Sequence, residues 1–418
     1  MTVQLTTEQV EQAQAEQTQA EQTEQAEQTE QAEQAVPFTR TEICPEARVA
    51  ALRVLASGRV ATGAQAAMFE REFAARVKAR HAVAVSSGTA AIELALRAMR
   101  LPPGGIVLVP AVTFCGVAQA VLHAGLRPLL VDVDPVTAMP SPATVAAALQ
   151  GHAHGRIRPA AMLMLHFGGA PAPLPELAAA AGLPLYRVIE DAAHGPGTTI
   201  HGRAVGALSR AACFSFSSAS NLPIGEGGMV TCDDGELAAR VRRAGRNGMS
   251  ADVRQRDGTA GSAWHFTVED GGLKANMSDL EAAIGRAQLR RLPGWQRLRE
   301  QLAAAYTLRL HDVGTLLPPS IPTGGRHAWN LYVLQVTERY GRSRDELAAA
   351  LAERGIGTAV HYVPLHRLGY FRHAALRPIS GLPGADQLFP RLLSLPLYPG
   401  LTENRVDRIC TELHRLAR

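Results

Sequence analysis

Three short segments carry residue types that can share one piece of chemistry. Val188-Ile-Glu-Asp-Ala-Ala-His194 sets two acids at the end of an apolar run, followed by small residues and a histidine. An acid at the carboxyl edge of a parallel strand faces the crevice where ligands bind. An Asp held there keeps a ring nitrogen protonated, which a pyridine cofactor needs to act as an electron sink. A cap on the next helix accounts for the same Asp without a ligand. Val85-Ser-Ser-Gly-Thr-Ala-Ala91 places small hydroxyl and glycine residues between a strand and a helix start. Exposed amides and the helix dipole suit a phosphate there, although an N-cap by Ser87 or Thr89 explains the segment equally well. Cys213-Phe-Ser-Phe-Ser-Ser-Ala-Ser-Asn-Leu-Pro-Ile-Gly-Glu-Gly-Gly228 is a hydroxyl-rich loop whose glycines permit either a tight bend around a ligand or a hairpin turn.

Composition bounds what these segments serve. With 418 residues, 46% hydrophobic and 19% charged, the chain has enough apolar content for one large or two medium domains, and its body is not a disordered sequence. No apolar run approaches the roughly 18 to 20 residues of a membrane span. Residues 1–39 hold eight Glu and no Lys or Arg, so the remainder is more basic than the net charge of +4 suggests. Its positive charges are scattered arginines, which argues against a nucleic-acid groove. Only two lysines occur, Lys78 and Lys274. The five cysteines are dispersed, odd in number and without a CxxC pair, so neither a disulfide framework nor a metal site follows. The chain start lacks a signal-peptide pattern, and the cytoplasm is the expected compartment.

The elements that must position these residues are legible in outline. Residues 1–35 read as a disordered low-complexity tail, with TEQAEQ at Thr23 to Gln28 repeated at Thr29 to Gln34; a short polar coiled coil is the rival. Strands are expected at His81 to Val85, Gly105 to Pro110, Arg127 to Val133, Met162 to His166 and Tyr186 to Glu190. Helices are expected at Ala90 to Met99 and Leu174 to Ala181, with a further helix between the second and third strands. Alternating strands and helices make a large α/β domain with a mostly parallel sheet over residues 36–290. The helices Gln301 to Leu310 and Arg344 to Arg354, with the strand Leu331 to Val336, make a smaller α+β domain over residues 291–418.

In this order and spacing the segments resemble the DegT and StrS type of sugar aminotransferases, fold type I pyridoxal-phosphate enzymes. The resemblance runs from about Arg59 to Leu416. It includes Phe69-Glu-Arg-Glu-Phe73, Pro110-Ala-Val-Thr-Phe114, His166-Phe-Gly-Gly169, Met277-Ser-Asp-Leu280, Gly355-Ile-Gly-Thr358, His361-Tyr-Val-Pro364 and Leu395-Pro-Leu-Tyr-Pro-Gly400. It implies a fold type I aminotransferase-like α/β architecture. By position, Asp191 is the implied partner of the pyridinium nitrogen and Phe114 the ring stacked on the cofactor. Gly88, Thr89 and Ser215 are the implied phosphate ligands, and His194 reaches the phenolic oxygen.

One position departs from the pattern. The family reads Ser-Phe-x-x-x-Lys-Asn-x-x-x-Gly-Glu-Gly-Gly, its lysine forming the Schiff base; here Ser220 stands at that place, in register on both sides. A serine hydroxyl forms no such linkage and, neutral at pH 7, is a poor proton shuttle. Lys274 falls where the family's asparagine reaches the cofactor phosphate of a neighbouring subunit. It is therefore a phosphate ligand in trans, a displaced Schiff-base lysine or a plain surface lysine. Three functions follow. The first is an enzyme using pyridoxamine phosphate (PMP) or non-covalently bound pyridoxal phosphate (PLP) on a nucleotide-linked keto-sugar or cyclitol ketone. It is dehydratase-like in lacking the lysine, and Ser220, His194 or His166 are its candidate proton carriers. The second is an inactive subunit paired with an active homologue. The third is a conventional transaminase using Lys274. The resemblance also implies a homodimer with shared active sites.

Overall fold

In this computed structural model, residues 35–150, 157–250, 267–313, 316–317 and 324–417 are described. The tail expected over residues 1–35 therefore lies, except for Ala35, outside the described residues.

The strands in chain order are β1 (His81–Val85), β2 (Ile106–Pro110), β3 (Arg127–Val131), β4 (Ala161–Leu165), β5 (Val188–Asp191), β6 (Thr199–Ile200), β7 (Arg203–Ala204), β8 (Ala211–Ser215), β9 (Gly228–Cys232), β10 (Leu316–Leu317), β11 (Gly325–Arg326), β12 (Tyr332–Val336) and β13 (Leu392–Leu395). Seven of them form one sheet in the order β1-β9-β8-β5-β4-β2-β3. Only β9 runs against its neighbours; the pairs from β8 through β5, β4 and β2 to β3 are parallel. This is the α/β architecture with a mostly parallel sheet expected above, and β10, β12 and β13 form a separate antiparallel sheet nearer the C-terminus.

Because β1, β2, β4, β5 and β8 share one direction, their carboxyl ends meet at one edge of the sheet. The chain leaves that edge at Ser86, Ala111, His166, Ala192 and Phe216. Val188, Ile189 and their neighbours on β4 are fully buried, as befits a strand covered on both faces. The helices Gly88–Ala98, Cys115–His123 and Gly235–Ala244 pack together, as do Pro142–Ala148 and Leu174–Ala181, and the five bury Leu94, Val121, Val145, Leu177 and Val241 in the same core as β2, β3 and β4. In a second core, Phe73 of the helix Ala64–Val77 packs edge-on to Phe214 and Phe216, and Phe69 lies tilted against Phe216, with ring centroids 4.9–5.4 Å apart. A third core joins Leu302, Tyr306 and Leu310 to Tyr332, Leu393 and the amphipathic helix Glu403–Leu416.

The helix Asp279–Leu310 links the cores. It starts at a capping box, in which Ser278 accepts from the Glu281 amide and the Glu281 carboxylate accepts from the Ser278 amide. It runs 32 residues through Pro293. Ala282, Leu289 and Leu292 pack on the sheet side, whereas Leu302 to Leu310 belong to the C-terminal core. The expected helix from Gln301 is thus its final part, and the helix spans both sides of residue 290.

Two loops interlock at the sheet edge. A Cβ placed on Gly228 would sit 2.3 Å from the Ser87 carbonyl oxygen, and one on Gly88 2.8 Å from Ser215 Cβ. Gly228→Ala therefore forces the β9 start away from the β1–helix turn. Overpacking of this kind costs about 1–3 kcal/mol. A lowered thermal midpoint is the expected result; a wild-type melting curve would show that the backbones part freely.

Candidate functional site

Where the strand ends converge there is a cavity of about 450 Å³. Gly88, Thr89, Phe114, Asp191, His194, Ser215 and Ser220 all line it, so residues 132 positions apart in the chain are brought to one place. Lys274 is not brought there. Its Nζ donates to Asn276 Oδ1 at 2.5 Å on an exposed segment, and Asn276 in turn donates to Thr62.

One end of the cavity is built by the turn after β1. Ser87 Oγ accepts from the Ala90 amide at 3.1 Å and so caps the helix Gly88–Ala98. The cap and the anion site are compatible: the cap satisfies Ala90, while the Gly88 and Thr89 amides start the helix without intrahelical partners. Without a Cβ on Gly88 the turn lies against Ser215, which adds a hydroxyl at the same end.

Adjacent residues of β5 point to opposite faces, and this separates the two acids. Glu190 is fully buried and accepts from the Leu208 and Ser209 amides at 3.2 and 3.1 Å, from Ser209 Oγ at 2.9 Å and from His166 Nε2 at 3.3 Å. His166 accepts from the Ala172 amide through Nδ1, so both its ring nitrogens are engaged and it is absent from the cavity. Neither group is free for chemistry there.

Asp191 lines the cavity, is 2% exposed, and accepts a hydrogen bond from the Ala193 amide at 3.1 Å. Burial raises its pKa to about 6, with the Ala193 hydrogen bond and His166 acting against the rise. Among the described residues no ion pair joins it to a cation. A buried carboxylate in this state is suited to a cationic ring N–H. Phe114, at the N-terminus of the helix Cys115–His123, keeps 55% of its surface exposed beside the same cavity. It offers a flat apolar face for an aromatic ring.

Ser220 is 6% exposed; its amide donates to the Ser217 carbonyl at 3.0 Å and its Oγ lies 3.1 Å from Ser217 Oγ. Asn221 pins the loop from behind, donating to the Ala328 carbonyl at 2.9 Å. His194 is held neutral, its pKa lowered to about 3 by burial and by the nearby His361, His327 and His166. Its Nδ1 accepts from the Gly168 amide at 3.1 Å, and its Nε2 lies 2.8 Å from the Tyr362 hydroxyl.

The sequence reading assigned no role to Tyr362, His361, Asn330 or Glu226, which also line the cavity. The matching segment His361-Tyr-Val-Pro364 is the sequence signal for His361 and Tyr362, and the Gly-Glu-Gly-Gly run that for Glu226. The phosphate end, the buried acid and the aromatic face together fit a phosphorylated pyridine.

The sequence profile of the DegT/DnrJ/EryC1/StrS aminotransferase family matches residues 42–414. The spore coat polysaccharide biosynthesis protein SpsC of Bacillus subtilis (strain 168) is 40% identical over 357 residues, covering 85% of this chain and 90% of that one. Among solved structures, DesV of S. venezuelae is 33% identical with a TM-score of 0.79, covering 92% of this chain and 99% of that one. DesI, solved in the presence of its TDP-sugar product, is 29% identical with a TM-score of 0.78, covering 91% and 92% respectively. From its sheet order to the loops at the sheet edge, the chain belongs to the DegT/DnrJ/EryC1/StrS aminotransferase family.

Proposed function

We propose that this chain is a lysine-less member of its family that uses PMP, or PLP held without a covalent tether, on a keto-sugar or cyclitol ketone in saccharide or specialised-metabolite biosynthesis. The observation that carries this reading is a cavity with a phosphate end, a buried acid and an aromatic face, in which Ser220 is present and, among the described residues, no lysine is.

When bound, the cofactor supplies an electron sink and, as PMP, an amine. The chain's own residues do the rest. The Gly88 and Thr89 amides with Ser215 bind the phosphate, and Asp191 holds the proton on the ring nitrogen. Phe114 excludes water from one ring face. Ser220 can hold a water or a substrate hydroxyl, but it cannot tether an aldehyde. A nucleotide-linked substrate is supported by DesI, whose TDP-sugar product is a molecule of that class. Residues 36–290 form the cofactor-binding unit in this reading and residues 291–418 the smaller one, in a cytoplasmic homodimer whose sites are shared.

The exposed ammonium of Lys274 supports a role in trans, as a phosphate ligand in the neighbouring site of such a dimer. The same exposure supports a second reading, an inactive subunit that lends Lys274 to an active homologue.

The test is the fate of the cofactor. After loading with PLP and treatment with borohydride, mild denaturation is expected to release the vitamer and leave a chain of unmodified mass. A reduced adduct on Lys274 would replace this reading with a conventional transaminase. Failure to bind either vitamer, with co-purification of a lysine-bearing homologue, would favour the inactive subunit.

A further inference from the structure

The turn His166-Phe-Gly-Gly169 has no role in the phosphate, ring-nitrogen or stacking contacts, yet it is built with care. Gly168 has φ +62° and Gly169 φ +100°, both in the left-handed region. The turn is anchored from the far side of the cavity: the Ala328 amide donates to the Gly169 carbonyl at 2.9 Å and the Leu331 amide to the Gly168 carbonyl at 3.1 Å. So fixed, the Gly168 N–H donates to His194 Nδ1 at 3.1 Å.

That one contact sets the direction of a chain of donors. A neutral imidazole whose Nδ1 accepts must carry its proton on Nε2. Nε2–H therefore donates to the Tyr362 oxygen, 2.8 Å away, and the two rings lie nearly parallel, 16° apart with centroids separated by 6.0 Å. With its oxygen already accepting, Tyr362 has its own O–H left to give. Among the described residues no acceptor takes it, and Tyr362 lines the cavity together with Asp191. Burial and the Asp191 carboxylate both keep that phenol protonated. His194, by contrast, has no free N–H.

We propose that Tyr362 is the hydrogen-bond donor to the phenolic oxygen of a bound B6 vitamer, with His194 as the residue that positions it and the Gly168 turn as the element that fixes the His194 tautomer. The inference rests on the cavity being a B6 site and reassigns the phenolic contact expected of His194.

Equilibrium dialysis with PLP and with 3-deoxypyridoxal 5′-phosphate, which lacks only the phenolic oxygen, tests it. Wild type is expected to prefer PLP by roughly tenfold or more, the worth of a hydrogen bond to a charged oxygen. Tyr362→Phe should bind the two ligands equally while holding the analogue as wild type does. Full preference retained in Tyr362→Phe and lost in His194→Asn would overturn the proposal and return the contact to His194. Should Tyr362→Phe misfold, proton NMR of the wild type decides: the Tyr362 hydroxyl resonance should move on adding PLP and not on adding the analogue, and an unmoved resonance overturns the assignment. If wild type binds neither ligand, the B6 reading itself fails, an outcome distinct from loss of discrimination alone.

Discussion

Asp191→Asn is expected to cut turnover by roughly two to three orders of magnitude and, in the cofactor-free protein, to raise the melting temperature. The two effects share a cause. Asp191 is a buried carboxylate with no cationic partner among the described residues, and burial lifts its pKa to about 6. An unfolded Asp titrates near 3.9. Below about pH 4 both states hold the proton and the site costs nothing. As pH rises through 4 to 6 the unfolded chain ionises first, and stability falls. Above 6 the folded carboxylate is charged as well, and the full cost stands, on the order of 3 kcal/mol. Asn keeps the oxygen that accepts from Ala193 and removes the charge. At pH 8 the variant should therefore melt a few degrees higher, a gain that disappears below pH 4. PLP reverses the ranking, because only the charged residue is paid back by a ring N–H⁺, so adding the cofactor should stabilise wild type more. Losing an electrostatic partner of this kind costs roughly 10²- to 10³-fold in rate. Wild-type turnover in Asp191→Asn, or an unchanged apo melting curve at pH 8, would remove the acid from the chemistry.

Local pattern carried much of this structure. The strands His81–Val85 and Ile106–Pro110 and the helix Leu174–Ala181 form where apolar runs and small-residue stops lead one to expect them, within a residue or so. The strand expected from Tyr186 begins instead at Val188, after a 3₁₀ turn at Leu185–Arg187 closed by the Pro184 carbonyl. The helix Asp279–Leu310 carries Pro293 inside it, where proline removes a donor and crowds the preceding turn. Packing of Leu289 and Leu292 on one side and Leu302 on the other overrides that local cost. The cavity divides in the same way. Gly88, Thr89, Asp191, Ser215 and Ser220 lie in short segments whose chemistry is visible in place. Tyr362 approaches His194 from 168 residues away, and which face of Glu190-Asp191 opens to the cavity depends on sheet pairing. Contacts of that range leave no periodic trace in a single sequence.

Ser220→Lys is expected to convert a protein without a covalent tether into one that holds PLP through a borohydride-reducible linkage, near one equivalent per chain. Ser220 is 6% exposed and lines the cavity, so a longer side chain begins from the wall of a space of about 450 Å³. Its loop is already fixed by Asn221 and by the Ser217 carbonyl, and these contacts do not use the Ser220 hydroxyl. The surroundings also favour a reactive amine. Position 220 is itself buried, so an amine placed there loses hydration. Burial disfavours the charged form and lowers the pKa of an amine. More of it is then neutral and nucleophilic near pH 8. The measurement is mass spectrometry after reduction, with the added mass mapped to position 220 and the fold checked by circular dichroism. A folded variant that stays colourless and unlabelled would mean that the wall at 220 does not face the coenzyme aldehyde. The cavity would then have to serve some ligand other than a B6 vitamer.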